Sequence, residues 1–260
     1  MSSHFPVLDV AFPRPVVALH QIEITSRCNL RCVYCTSPQI VDGKFPKRPA
    51  GDMTRATFVR ALEWVHHFTR QGTQEELNLA GIGESTLHPE FVDFVRLARE
   101  AVGPAVKLVF ATNGLVVDES LARAIAPFKP EVWVSMHRPE KGGPAAEYLN
   151  NAGILGGISC DAGSPGGAND WAGQVKWKKP IYKLPCQWLR EGKAFVYSTG
   201  ELGACCLDAS GAGVIGHVND TIGSVKSRPY GLCAGCYQEI GVAGYDQWNA
   251  RSRDAGPVPG

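Results

Sequence analysis

From residue 16 to residue 163 the chain alternates between short apolar runs and longer amphipathic stretches, and this alternation limits the possible folds more than any other feature. The run VVALHQIEIT at 16–25 is β-rich and partly alternating. The next stretch, MTRATFVRALEWVHHFTRQG, sets Phe58, Ala61, Leu62, Val65 and Phe68 at helical spacing, and Gly72 can stop that helix. ELNLAGIG (76–83) reads as a strand ending in glycines. PEFVDFVRLAREAVG reads as a helix with Pro89 near its start and Gly103 after its end. VKLVFATNG (106–114), DESLARAIAPF, EVWVSMHR (131–138), a short helix in PAAEYLNNAG and ILGGISCDAG (154–163) continue the order.

Strand and helix in strict succession imply βα units on a parallel sheet. A closed eight-unit barrel takes about 250 residues, and roughly 180 are available here, so a partial, open (β/α) barrel is expected. Ligands in such folds gather at the carboxyl ends of strands. The segments after the strands, CNLRCVYC, GIGES, TNG, HRPE and CDAG, therefore converge on one rim. After GGAND the texture changes to glycine-rich sequence with further cysteines. The expected organisation is an N-terminal extension (1–15), the partial barrel (16–180), a small second domain of β-hairpin and helix (181–250) and a tail (251–260).

The formal net charge is +1 and no basic run stands out, which argues against a nucleic-acid surface. No apolar stretch reaches the roughly 20 residues of a membrane helix. The proline-interrupted start, MSSHFPVLDVAFPRP, does not read as a signal peptide, so a cytoplasmic protein with no membrane partner is expected. In a reducing compartment the nine cysteines read as metal ligands or reactive thiols, not as disulfides.

Three of them, Cys28, Cys32 and Cys35, lie on one short loop with C-x3-C-x2-C spacing. Thiolates suit zinc and iron–sulfur clusters alike. A [4Fe–4S] cube has four iron corners, so three cysteines would leave one corner open. CNLRCVYC, with the aromatic Tyr34 before the last cysteine, resembles the motif of the radical S-adenosylmethionine (SAM) enzymes. The resemblance implies that the amino and carboxylate groups of SAM take the open corner. Reductive cleavage of SAM then yields a 5′-deoxyadenosyl radical that abstracts a substrate hydrogen atom. An external donor such as flavodoxin or ferredoxin would supply the electron. GIGESTLHPE resembles the family's Gly-Gly-Glu-Pro segment, with Ile82 and Ser85 as departures. By that likeness Gly83 and Glu84 meet the methionyl ammonium. Asn113 in ATNG and Ser135 on the fourth strand also match positions that serve SAM in the family.

The second cysteine group reads as Cys186, Gly200 and Cys205 followed by Cys233-x2-Cys236. It resembles the opening of the SPASM and twitch extensions of some radical SAM enzymes. Gly200 would turn a hairpin in AFVYSTGELGACC that brings Cys205 towards Cys186. Four thiolates saturate one auxiliary [4Fe–4S] cluster, and a four-cysteine zinc site has the same spacing. Cys206 adjoins a ligand position and is the alternative to Cys205 there.

Cys160 and Cys206 are candidate hydrogen-atom donors, or small apolar fillers. His137 and Arg138, after the fourth strand, are candidates for substrate contact, with His137 able to act as a base. The layout resembles that of inosamine dehydrogenases. The expected reaction is oxidation or epimerisation of a small polar metabolite such as a sugar or cyclitol. Modification of a ribosomal peptide is the alternative within the enzymes. A non-catalytic zinc or iron–sulfur protein is the alternative outside them.

Overall fold

Every strand and helix expected before residue 160 is present in the computed structural model, which describes residues 12–159, 171–176, 184–236 and 238–239. The succession is β1 (Ala18–Ile22), α1 (Arg55–Arg70), β2 (Glu76–Asn78), α2 (Phe91–Val102), β3 (Lys107–Thr112), α3 (Glu119–Ile125), β4 (Glu131–Ser135), α4 (Pro139–Asn151) and β5 (Leu155–Ser159). Three further strands follow: β6 (Lys193–Val196), β7 (Glu201–Gly203) and β8 (Val214–His217). All eight join one sheet in the order β8-β7-β6-β1-β2-β3-β4-β5. From β6 to β5 every neighbouring pair is parallel, while β7 and β8 are antiparallel additions. With β8 and β5 at its edges the sheet is an open partial barrel, as expected.

The helices form where the sequence pattern puts them. Thr54 caps α1 by accepting the amide of Thr57 at 3.1 Å. The helix then buries Phe58, Ala61, Leu62, Trp64, Val65 and Phe68. Phe58 stacks on Phe94 of α2 at 4.1 Å between ring centroids. Each such side chain removed from water contributes about 1.5–3 kcal/mol, so packing against the sheet fixes these helices more than intrinsic propensity does. Helix α4 is longer than expected. It starts at Pro139, a residue suited to a first turn, and runs through Pro144.

The hairpin expected around Gly200 is β6 and β7, reversed through Tyr197–Gly200. Gly200 has φ +100°, and a Cβ there would lie 2.8 Å from His217 Nε2 and 2.9 Å from Thr57 Cγ2. Only glycine tolerates both the backbone angle and the close approach. Strand β6 pairs in parallel with β1, so the hairpin continues the barrel sheet directly. The expected boundary near residue 180 and the tail at 251–260 lie outside the described residues. Among the described residues no helix is long and apolar enough to cross a membrane.

Candidate active site and metal centres

The three-cysteine loop leaves β1 and is anchored at its start, where the Ser26 amide donates to the Gly51 carbonyl at 2.9 Å. The sulfurs of Cys28 and Cys35 each accept a backbone amide two residues on, from Leu30 and Ser37, both at 3.4 Å. Such N–H···S bonds support thiolate ligands and tune the potential of a cluster. Burial pushes the Cys35 thiol up to about 11 and raises Cys28 as well. These thiols stay protonated near neutral pH unless a metal centre displaces the proton, which is the chemistry expected of ligand positions.

The segment after β2 is stitched to this loop. The Glu84 amide donates to the Arg27 carbonyl at 2.8 Å. Gly83 sits so close that a Cβ would meet the carbonyl oxygen of Thr25 and lie 2.7 Å from that of Arg27. Glu84 is buried, and burial raises its pKa against the pull of its donors. Its Oε1 accepts the Thr86 and Thr112 hydroxyls at 2.6 and 2.8 Å and the Thr86 amide at 3.3 Å. Among the described residues its Oε2 accepts the Asn113 amide alone, at 2.7 Å, which leaves one lone pair of that oxygen available. Asn113 reaches back to the cluster loop. Its Nδ2 donates to Asn29 Oδ1 at 2.7 Å and lies 4.0 Å from Cys28 Sγ.

The end of β4 joins the same rim. Tyr34 Oη and His137 Nδ1 are 2.8 Å apart, and Trp171 Nε1 donates to the Tyr34 carbonyl at 3.0 Å. Ser135 shares a hydroxyl contact of 3.1 Å with Ser159. Thus Tyr34, Gly83, Glu84, Asn113 and His137 converge as the strand-end argument predicts. Arg138 is exposed at the start of α4, with Nη1 3.9 Å from Glu140 Oε1. Cys160 lies outside the described residues.

The second group gathers as well. Cys186, Cys205, Cys233 and Cys236 line one cavity, closed by apolar Leu189, Leu207 and Leu232 and by Tyr230. Burial pushes the Cys186 and Cys233 thiols up to about 12. Cys205 is raised by a hydrogen bond with Cys206 and by burial, while Tyr230 also bonds its sulfur. The Leu207 amide donates to Cys205 Sγ at 3.3 Å, repeating the pattern of the first loop. Cys206 does not line the cavity. Among the described residues no three His, Cys, Asp or Glu side chains come close enough to hold a single metal ion.

The family model described as Radical SAM superfamily matches residues 22–137, the span from the end of β1 to His137. Residues 22–137 belong to the radical SAM superfamily. The cofactors that go with this membership are a [4Fe–4S] cluster and SAM. The curated tungsten-containing aldehyde ferredoxin oxidoreductase cofactor-modifying protein of Pyrococcus furiosus is 32% identical over 142 residues, 54% of this chain. The match spans 35% of that protein's length.

Among solved structures, BtrN in complex with AdoMet and 2-DOIA superposes with a TM-score of 0.64 at 16% identity, covering 83% of this chain and 81% of BtrN. The anSMEcpe structure with bound AdoMet and Cp18Cys peptide has a TM-score of 0.52 at 15% identity, covering 78% of this chain and 77% of that one. SuiB of Streptococcus suis bound to precursor peptide SuiA has a TM-score of 0.51 at 13% identity, covering 79% and 62%. At these identities the likeness is one of fold.

Beside the motif segments lie two buried charged residues that the motifs did not reveal. Glu23, at the end of β1, and Arg48, after the cluster loop, are buried together as an ion pair. In the sequence Glu23 is only one polar residue between Ile22 and Ile24, and nothing local marks Arg48 as its partner.

Proposed function

We propose that this chain is a radical SAM enzyme with an auxiliary [4Fe–4S] cluster that oxidises a small polar metabolite such as a sugar or cyclitol. The observation that carries the reading is that one chain presents both a three-thiol loop after β1 and a cavity lined by four further thiols. Cys28, Cys32 and Cys35 would hold the first cluster, and Cys186, Cys205, Cys233 and Cys236 the second. Bound there, these clusters and SAM would supply a hydrogen-abstracting 5′-deoxyadenosyl radical and a one-electron acceptor.

The chain's own residues then have defined work. The free lone pair on Glu84 Oε2 can accept the methionyl ammonium of SAM in a charge-assisted bond, beside the Gly83 backbone. Asn113 steadies the cluster loop through Asn29. Ser135, at the end of β4, is offered for the ribose. His137, held by the Tyr34 hydroxyl, is positioned to take the proton released when a substrate radical is oxidised. Arg138, exposed and only loosely paired with Glu140 at 3.9 Å, is offered to an anionic or polar substrate. Among the described residues, the spare thiol Cys206 is turned to Cys205, which favours oxidation over return of a hydrogen atom from that cysteine.

A four-thiolate site leaves no vacant ligand, which suits electron transfer and not substrate ligation. Beside a three-cysteine cluster loop, the four-cysteine set is read as a cube and not as zinc. Peptide modification is the second reading, favoured by the likeness in fold to structures that hold peptides. The test is anaerobic reconstitution followed by reduction with a strong reductant. Formation of 5′-deoxyadenosine, with about eight irons per chain, supports the proposal. Absence of SAM cleavage in fully iron-loaded protein returns the chain to the non-catalytic class. Turnover with a precursor peptide but with no sugar or cyclitol would move it to the second reading.

A further inference from the structure

Between the two cysteine sites runs a line of buried polar side chains that neither site uses as ligands. Glu23 is fully buried. Its Oε2 accepts the Ile82 amide at 2.8 Å, and its Oε1 is paired with Arg48 Nη2. Arg48 is 2% exposed. Its Nη1 donates to the Asp208 carbonyl at 3.0 Å, and its guanidinium lies 4.5 Å from the centroid of the Tyr197 ring. Tyr197 Oη donates to Asp208 Oδ2 at 3.0 Å. Asp208, also fully buried, accepts the Gly213 amide at 2.6 Å and both the amide and hydroxyl of Ser210, at 3.0 and 2.8 Å.

Burying these charges costs several kcal/mol per ion before pairing, and an apolar set of similar volume is often no less stable. Stability alone does not explain the arrangement. An arginine does here what an apolar side chain cannot, because its rigid fork satisfies two acceptors in two directions at once. The two acceptors belong to different sites. Glu23 seats the Gly81–Ile82–Gly83 turn, so tightly that a Cβ on Gly81 would lie 2.5 Å from Glu23 Oε2. Asp208 organises the loop that begins at Cys205 and returns at Gly213.

We propose that Arg48 is a positioning residue that ties the Gly81–Gly83 turn of the SAM site to the Cys205–Gly213 loop of the second cysteine site, fixing their separation. The inference rests on reading both as cofactor sites, but its primary test needs no turnover. Hydrogen exchange is followed by mass spectrometry in anaerobically purified wild type, Arg48→Met, Arg48→Lys and Tyr197→Phe. In Arg48→Met, peptides containing Ile82 and peptides containing Gly213 both exchange about tenfold faster, the scale of one lost charged hydrogen bond. Lysine is a point charge and cannot span both acceptors, so Arg48→Lys loosens one of the two loops. Tyr197→Phe loosens only the 208–213 side.

In SAM cleavage assays the KM for SAM rises about tenfold in Arg48→Met and stays within about twofold in Tyr197→Phe. Faster exchange confined to residues 45–50, with an unchanged KM, overturns the tie. If Arg48→Met does not fold, Arg48→Lys and Tyr197→Phe decide the matter. The tie is then wrong if Arg48→Lys loosens neither loop or Tyr197→Phe loosens both. A wild type that fails to cleave SAM refutes the functional reading and leaves the exchange result to judge Arg48.

Discussion

Gly83→Ala is the substitution whose consequence follows most directly from the coordinates. A methyl group there would collide with the Thr25 carbonyl oxygen and lie 2.7 Å from the Arg27 oxygen and 2.9 Å from the Ser26 carbonyl carbon. All three are backbone atoms, so no rotamer change relieves the contact. Restoring ordinary contact distances requires the turn to withdraw by about 1 Å. That withdrawal breaks the 2.8 Å bond from the Glu84 amide to the Arg27 carbonyl. Overpacking costs about 1–3 kcal/mol and the lost hydrogen bond about 1 kcal/mol more. At roughly 2–4 °C per kcal/mol, Tm falls by about 5–15 °C. Gly143→Ala is the control, since Gly143 lies inside α4 with nothing within 4 Å of its Cβ position. Alanine there gains about 0.5–1 kcal/mol of helix stability, and Tm rises by about 1–4 °C. Thermal unfolding of the two variants beside wild type, with SAM cleavage rates on reconstituted samples, makes the comparison. A Gly83→Ala protein that melts within about 2 °C of wild type and cleaves SAM at the wild-type rate would refute the seating of this turn.

Two further outcomes are expected. Cys205→Ser loses about four irons per chain on reconstitution while Cys206→Ser keeps its full complement; the reverse result would exchange their roles. Burial, reinforced by Lys193 and opposed by Glu191, lowers the His20 pKa to about 4. The unfolded chain therefore takes up the His20 proton first as pH falls. His20 costs nothing above about pH 6.5, removes up to roughly 3 kcal/mol as pH falls from about 6.5 to 4, and changes little below that. Urea unfolding should show a flatter pH dependence for His20→Gln than for wild type across that window, and parallel curves would contradict the assignment.

The legible parts of the fold are those set by local pattern. The apolar stripe of α1 appears in the sequence as it appears in the structure, with Trp64 added to its buried face. The turn at Gly200 and the rim formed by the segments after β1, β2, β3 and β4 also follow from short-range rules. What escaped is long-range. Nothing in the four residues of β6 says that they pair with β1, some 170 residues earlier in the chain, because strand pairing depends on tertiary fit. Glu23 escaped for a related reason. A charged residue in a strand is ordinarily assigned to the wet face, and its burial is tolerable only because Arg48 and Ile82 are delivered to it by other segments. The pattern PAAEYLNNAG points to a helix from Pro144, but Pro139 supplies an earlier first turn. For the two adjacent cysteines, the spacing from Gly200 favours Cys205, and Cys205 is the one that lines the cavity.

Electron paramagnetic resonance of the dithionite-reduced protein, recorded with and without SAM, tests the central claim most directly. The account predicts a cluster signal that depends on Cys28, Cys32 and Cys35, changes on addition of SAM, and is accompanied by 5′-deoxyadenosine. Zinc at those cysteines, or a cluster signal indifferent to SAM, would contradict it.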